Sequence, residues 1–277
     1  MNIHIEDREL FKELKKISIL NIEIGSRMYG TNNEKSDTDI LYIYIPSYDE
    51  LNSISASHHQ YQFKENGVDH IFTDIYTFIK NSLNGDSTIN FEVINSKKLI
   101  GSDLEWLYNT RHLFRNYKIL RAYLGRARKD LKQIRSKSNV EDMTKKLSHG
   151  IRSYQFACNV LEDVFSSEWD DSYYYDVLAR TRNMTIKRKI YNLSSEYEMK
   201  ISVLRERVNL FLDSGQLGME NYMNATQMVY LDNLLGGFVT EKRKELGNSD
   251  YYKKLRVIVA KSVSEGIDYG DSKFIVK

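Results

Sequence analysis

The chain has one cysteine, one proline and no long apolar run. Cys158 alone excludes an internal disulfide and any paired-cysteine zinc or redox site. Proline at 1 in 277 is far below its usual share of about 5%. With 20 tyrosines and abundant Lys, Asn and Ile, that scarcity goes with an AT-rich genome. No window approaches the ~18 consecutive apolar residues of a membrane span. MNIHIEDREL lacks the basic stretch leading into an apolar one that marks a secretory signal. A cytoplasmic protein without a membrane partner is the expectation. Neither sign of charge prevails: 40 basic against 38 acidic side chains leave +2. Any surface for nucleic acid must therefore be a local patch.

What is present suffices for an ordinary core. Hydrophobic residues make up 41% and charged residues 28%, which excludes wholesale disorder. The length of 277 residues suits one large domain or two small ones. Asp7 stands where a helix cap would, ahead of Leu10, Phe11, Leu14 and Ile17 at the spacing of one helical face. Leu20, Ile22 and Ile24 alternate with polar residues, which predicts a strand over Ser18–Ile24 that breaks at Gly25-Ser26. A polar loop, a strand over Asp37–Ile45 ended by Pro46, a loop over 47–60 and a strand over Val68–Phe72 follow. Thr73 or Asp74 caps a helix carrying Ile75, Phe78, Ile79 and Leu83.

Beyond Ser102 the period is helical. Long amphipathic helices are predicted over 116–136 and 141–165, and further ones over about 176–183, 188–213, 219–235 and 250–264, with Gly236-Gly237 as a break. The acidic, aromatic stretch from Ser167 reads as a loop, and the tail from Gly266 as loose.

The informative segment is Gly25-Ser26-Arg27-Met28-Tyr29-Gly30, followed by Ser36-Asp37-Thr38-Asp39-Ile40. A Gly-Ser turn leaving a strand exposes backbone N–H groups to phosphate oxygens, and Ser26 adds a hydroxyl donor. Asp37 and Asp39, two apart on a strand, project from one face with Cα atoms ~7 Å apart. Carboxylates so spaced suit Mg²⁺ ions ~3.5–4 Å apart. Lys145, His149 and Arg152 fall at i, i+4 and i+7 on one polar helix face, able to grip a triphosphate or polynucleotide phosphate. Residues 116–137 carry eight basic side chains against the single acid Asp130. Arg121, Arg128, Lys132 and Arg135 form a stripe that fits a phosphate backbone or is plain solvated surface. Tyr173, Tyr174 and Tyr175 can stack bases or simply pack. His58 and His59 do not have metal-ligand spacing and read as loop surface.

The order G-S, some ten residues, then D-x-D resembles the signature of the DNA-polymerase-β-like nucleotidyltransferase superfamily. The extended form GSRMYG…SDTDI is similar to its RNA-repair-associated, RlaP- or YcgL-like branch of bacteria and phages. Lys145, His149 and Arg152 match that branch's K-x-x-x-H-x-x-R helix, and Leu178–Arg182 stands where it carries a further arginine motif. Two positions depart from it: Leu41-Tyr42 replaces an Arg-Gly, and Asp86-Ser87 rather than Asn-Pro precedes Glu92.

The resemblance implies a third carboxylate on a neighbouring strand. Asp69 and Asp74 are the candidates, with Asp69 preferred because Asp74 has a role as helix cap; Glu92 reads as structural. It also implies an α+β fold, a small mixed sheet with flanking helices over 1–105 and a helical region over 106–277 that closes the cleft.

The expected activity is transfer of a nucleoside monophosphate from an NTP to a hydroxyl by a two-metal mechanism. Mg²⁺ or Mn²⁺ would be held by Asp37, Asp39 and Asp69. Gly25, Ser26, Arg27, Lys145, His149 and Arg152 would bind the nucleotide. An RNA 3′ end is the first acceptor and a protein hydroxyl the second. The rival is a retired nucleotidyltransferase that only binds RNA or a protein.

Overall fold

The computed structural model describes residues 5–30, 36–46, 60–162, 184–213 and 225–246, together with Asn32 and Thr181. Tyr173–Tyr175, His58-His59, Arg180, Arg182, the helix expected at 250–264 and the tail from Gly266 lie outside those residues. The fold is α+β: a small mixed four-stranded sheet with flanking helices, and a helical C-terminal part. Two compact units interleave along the chain. One comprises Met1–Lys80, Lys98–Trp106 and Ala225–Lys277; the other comprises Asn81–Lys97 and Leu107–Asn224.

In the first unit, helix α1 (Ile5–Ile17) precedes strand β1 (Ser18–Ile24), and β2 (Thr38–Tyr44), β3 (Gln60–Glu65) and β4 (Val68–Asp74) complete the sheet in the order β1-β2-β4-β3. The pairs β1–β2 and β3–β4 are antiparallel, and β2–β4 is parallel. Helix α1 starts at Ile5, so Asp7 lies inside its first turn rather than ahead of the helix. Its apolar face forms as spaced: Leu10, Phe11, Leu14 and Ile17 are buried with Tyr42, Tyr44, Tyr61, Phe63 and Phe72 in one cluster. Tyr42 and Phe72, opposite each other on β2 and β4, stack with ring centroids 4.4 Å apart. Phe11 meets Phe72 edge-on at 5.7 Å. Each such aromatic contributes roughly 1.5–3 kcal/mol on burial.

Strand β3 was not expected, and only its first residue, Gln60, lies in the predicted loop over 47–60. Tyr61 and Phe63 alternate with Gln60, Gln62 and Lys64, and Asn66-Gly67 turns the chain into β4. Both turn residues have positive φ, 51° and 81°, as a two-residue hairpin requires.

Helix α2 (Ile75–Asn84) follows β4. Asp74 is its cap, accepting from the Thr77 amide at 2.9 Å. Helix α8 (Ala225–Glu245) belongs to the first unit and runs through Gly236-Gly237 without the expected break. Leu231, Leu235 and Val239 are buried at i, i+4 and i+8. That burial outweighs roughly 1 kcal/mol of lost helix propensity per glycine. Arg243 on α8 donates to the Pro46 carbonyl at 2.7 Å and 3.2 Å.

The second unit contains α3 (Thr88–Ile94), α4 (Glu105–Asn109) in part, α5 (Tyr117–Gln133), α6 (Val140–Glu162) and α7 (Lys187–Asp213). The helix expected over 116–136 forms as α5, and its apolar side is wholly buried: Leu120, Tyr123, Leu124, Ala127, Leu131 and, just beyond it, Ile134. It packs against α6 and α7. Among the described residues no helix is long and apolar enough to cross a membrane.

Candidate functional site

Two of the three expected carboxylates meet across the sheet. Asp39 and Asp69 are register partners on the parallel strands β2 and β4. Residues alternate in facing along a strand. Ile40, Tyr42 and Phe72 belong to the aromatic side, so Asp39 and Asp69 share the opposite side, away from α1. Asp74, in register with Tyr44 and buried at the end of β4, lies on the aromatic side and serves α2. Asp37 is exposed and precedes β2.

The turn after β1 closes on the same carboxylate. Ile24 is opposite Asp39, and Gly25 follows with φ of +68°. A Cβ on Gly25 would stand 3.2 Å from Asp39 Oδ2. Glycine is required there both for the left-handed backbone and for room beside the carboxylate. Residues 25–30 form one turn, closed by a Gly30 amide bond to the Arg27 carbonyl at 3.3 Å. Arg27 carries a buried Nε with no hydrogen-bond partner, a donor that an anionic ligand would satisfy.

The sheet also supplies a partner that sequence reasoning missed. Lys64 lies opposite Asp69 on β3, with Nζ 3.5 Å from its Oδ1. The missed strand hid this neighbour. Among the described residues no group of three or more His, Cys, Asp or Glu stands close enough to hold a metal ion. Asp39 and Asp69 stand in register on adjacent strands. Asp37 is not gathered with them.

No known protein family, curated protein or solved structure matches this chain.

Lys145, His149 and Arg152 lie together on α6, in the second unit. They are not one exposed polar stripe, because α6 turns them progressively inward. Lys145 is exposed, His149 is half-buried and Arg152 is 5% exposed. The inward end meets a buried charge. Glu92 on α3 is 1% exposed and accepts a hydrogen bond from Tyr123 Oη at 3.2 Å. Burial pushes the Glu92 carboxyl above its ordinary range, while Arg152, Arg126 and the tyrosine bond oppose that rise. Arg126 also donates to Thr88 Oγ1. His149 is pushed down to about 2, first by burial and then by Arg152, Arg126, Lys146 and Lys145; it is neutral at physiological pH.

Glu92, Tyr123, Arg126 and Arg152 therefore form an internal polar network. Its sequence signals were Arg152, spaced from Lys145 and His149, and a glutamate inside the apolar run Phe91-Glu92-Val93-Ile94. Arg126 stood outside every spacing pattern.

Proposed function

We propose that the chain is a nucleotidyltransferase, moving a nucleoside monophosphate from an NTP to a hydroxyl acceptor. The observation that carries this reading is the juxtaposition of Asp39 with Asp69 in register, under a glycine turn that opens onto the Asp39 carboxylate. Carboxylates on adjacent strands beside a glycine turn would combine a cation site with a phosphate site. Asp39 and Asp69 would hold Mg²⁺ or Mn²⁺. The ion would supply neutralisation of triphosphate charge and a lowered pKa for the attacking hydroxyl.

The residues of the chain do the rest. The turn from Gly25 to Gly30 receives the phosphates. The Ser26 hydroxyl donates to one of their oxygens, and the unsatisfied Arg27 Nε adds a charged donor. Arg152, beside Glu92, is a structural cation in this reading. The acceptor is an RNA 3′ hydroxyl, with a protein hydroxyl as its competitor.

The test incubates the protein with each labelled NTP, Mg²⁺ or Mn²⁺, and RNA or cell extract. Label entering RNA or a protein, and lost in Asp39→Asn, supports the reading. A protein that binds no NTP by calorimetry and labels nothing is the retired module instead. The Lys64–Asp69 ion pair favours that second reading, since it makes Asp69 an ordinary cross-strand partner.

A further inference from the structure

The basic stripe on α5 becomes a groove once α7 is in place. The space between the two helices has a volume of about 750 Å³. Its walls carry five cations: Arg121, Arg128, Lys129 and Lys132 from α5, and Arg205 from α7. All five are exposed, and no acidic side chain lines the groove among the described residues. Two acids on the same helices are engaged elsewhere. Asp130 holds Lys146 at 2.8 Å and Glu198 holds Arg135 at 2.9 Å. Arg135, a member of the stripe by spacing, is thereby removed from it. Arg205, which no spacing on α5 could indicate, takes its place.

Leu124 and Val208 give the groove an apolar floor, and both are buried. Gly125, exposed on the floor, leaves open space where a side chain would obstruct a ligand. Tyr117 closes one end, with the Arg121 guanidinium 5.6 Å from its ring centroid.

The length decides the ligand class. Arg121 to Lys132 spans eleven residues, about 16 Å of helix axis. A single phosphate cannot engage cations so far apart, whereas successive phosphates of a chain can. The concave shape between two helices does not suit a flat membrane surface. An apolar floor and a terminal aromatic suit the sugars and bases of a strand whose phosphates face the walls.

We propose that the α5–α7 groove is a binding site for a single nucleic-acid strand, engaged through its phosphodiester backbone. The proposal is independent of the nucleotidyl-transfer reading, because strand binding requires neither NTP nor metal.

The experiment uses the full chain in EDTA, without nucleotide. Fluorescent RNA and DNA oligonucleotides of about twelve nucleotides, within the usual site size, are titrated across a range of salt. The expected result is binding whose log–log salt slope flattens by about 0.7 for each phosphate contact removed. Arg205→Gln should lose one such step, and Arg128→Gln with Lys132→Gln two, the double variant binding at least about tenfold more weakly. Arg135→Gln should bind as wild type. Equal binding of RNA and DNA supports readout of backbone alone, and stronger RNA binding supports the same site with contacts to the 2′-hydroxyl.

The proposal is overturned if the wild-type chain binds neither strand, or if Arg205→Gln and the double variant keep the wild-type slope. It is also overturned if Arg135→Gln weakens binding as much as the groove variants do, or if phosphatidylserine vesicles bind and the oligonucleotides do not. Arg205 is an exposed side chain, so its variant keeps the test decisive if the double variant fails to fold.

Discussion

Asp69 and Asp74 are two acids on one short strand, five residues apart, and the pleat sends them to opposite sides of the sheet. Asp74 caps α2 from the aromatic side, so Asp74→Ala should lower stability by about 1 kcal/mol and leave nucleotidyl transfer largely intact. Asp69→Asn should do the reverse. Melting curves and labelling assays on both variants check this, and the opposite ranking would move the active carboxylate to Asp74. Gly25 is the second test at this scale. Gly25→Ala forces a left-handed alanine, at roughly 1–2 kcal/mol, and sets a methyl 3.2 Å from Asp39 Oδ2. Transfer should fall by at least tenfold, beyond what the loss of melting temperature explains. A variant with wild-type activity would mean that the turn does not face the phosphates.

At the level of elements, most boundaries follow from local chemistry. β1 ends where glycine first permits the turn, and α5 starts where Asn116 accepts from the Ile119 amide at 3.1 Å. Asn116 also donates to the Leu83 carbonyl at 2.9 Å, tying α5 to the end of α2. Asn116→Ala removes both bonds at a buried position, so a loss of about 1–2 kcal/mol is expected in chemical denaturation. Asn116→Asp should restore the cap but not the bond to Leu83. Equal stability of all three proteins would show that the cap contributes nothing. β3 was missed, although Tyr61 and Phe63 alternate with polar residues ahead of the Asn66-Gly67 turn, because only two apolar side chains mark it. The continuity of α8 was not legible, because two adjacent glycines read as a break wherever packing is unknown.

Across the whole molecule, the internal network of the helical unit sets a pH dependence. The folded chain keeps His149 neutral, with its pKa pushed to about 2, whereas an unfolded histidine titrates near ~6.5. Below about pH 6.5 the unfolded chain takes up a proton that the folded chain refuses. Stability then falls with pH, at most by about 1.4 kcal/mol per unit for this one proton. Glu92 has the opposite sign. Its raised pKa costs stability as pH rises through and above the ordinary carboxylate range of 4.5. His149→Gln should therefore melt with a flatter pH profile than wild type between about pH 6.5 and 5. A parallel profile would assign the acid sensitivity to other groups.

The sequence by itself determined that strands mix with helices ahead of a helical remainder, the buried faces of α1, α2 and α5, and the Gly-Ser turn after β1. These rest on period and on residue chemistry, which act within a few residues of the chain. Only the tertiary structure decided which acid stands beside Asp39, since that depends on the register of β2 with β4 across some thirty residues. It alone turned Arg152 inward to Glu92 and drew Arg135 off to Glu198. It alone set Arg205 across from Arg128 to make a groove of a stripe. Partners of this kind are chosen by packing between elements, and no spacing along one helix or strand encodes them.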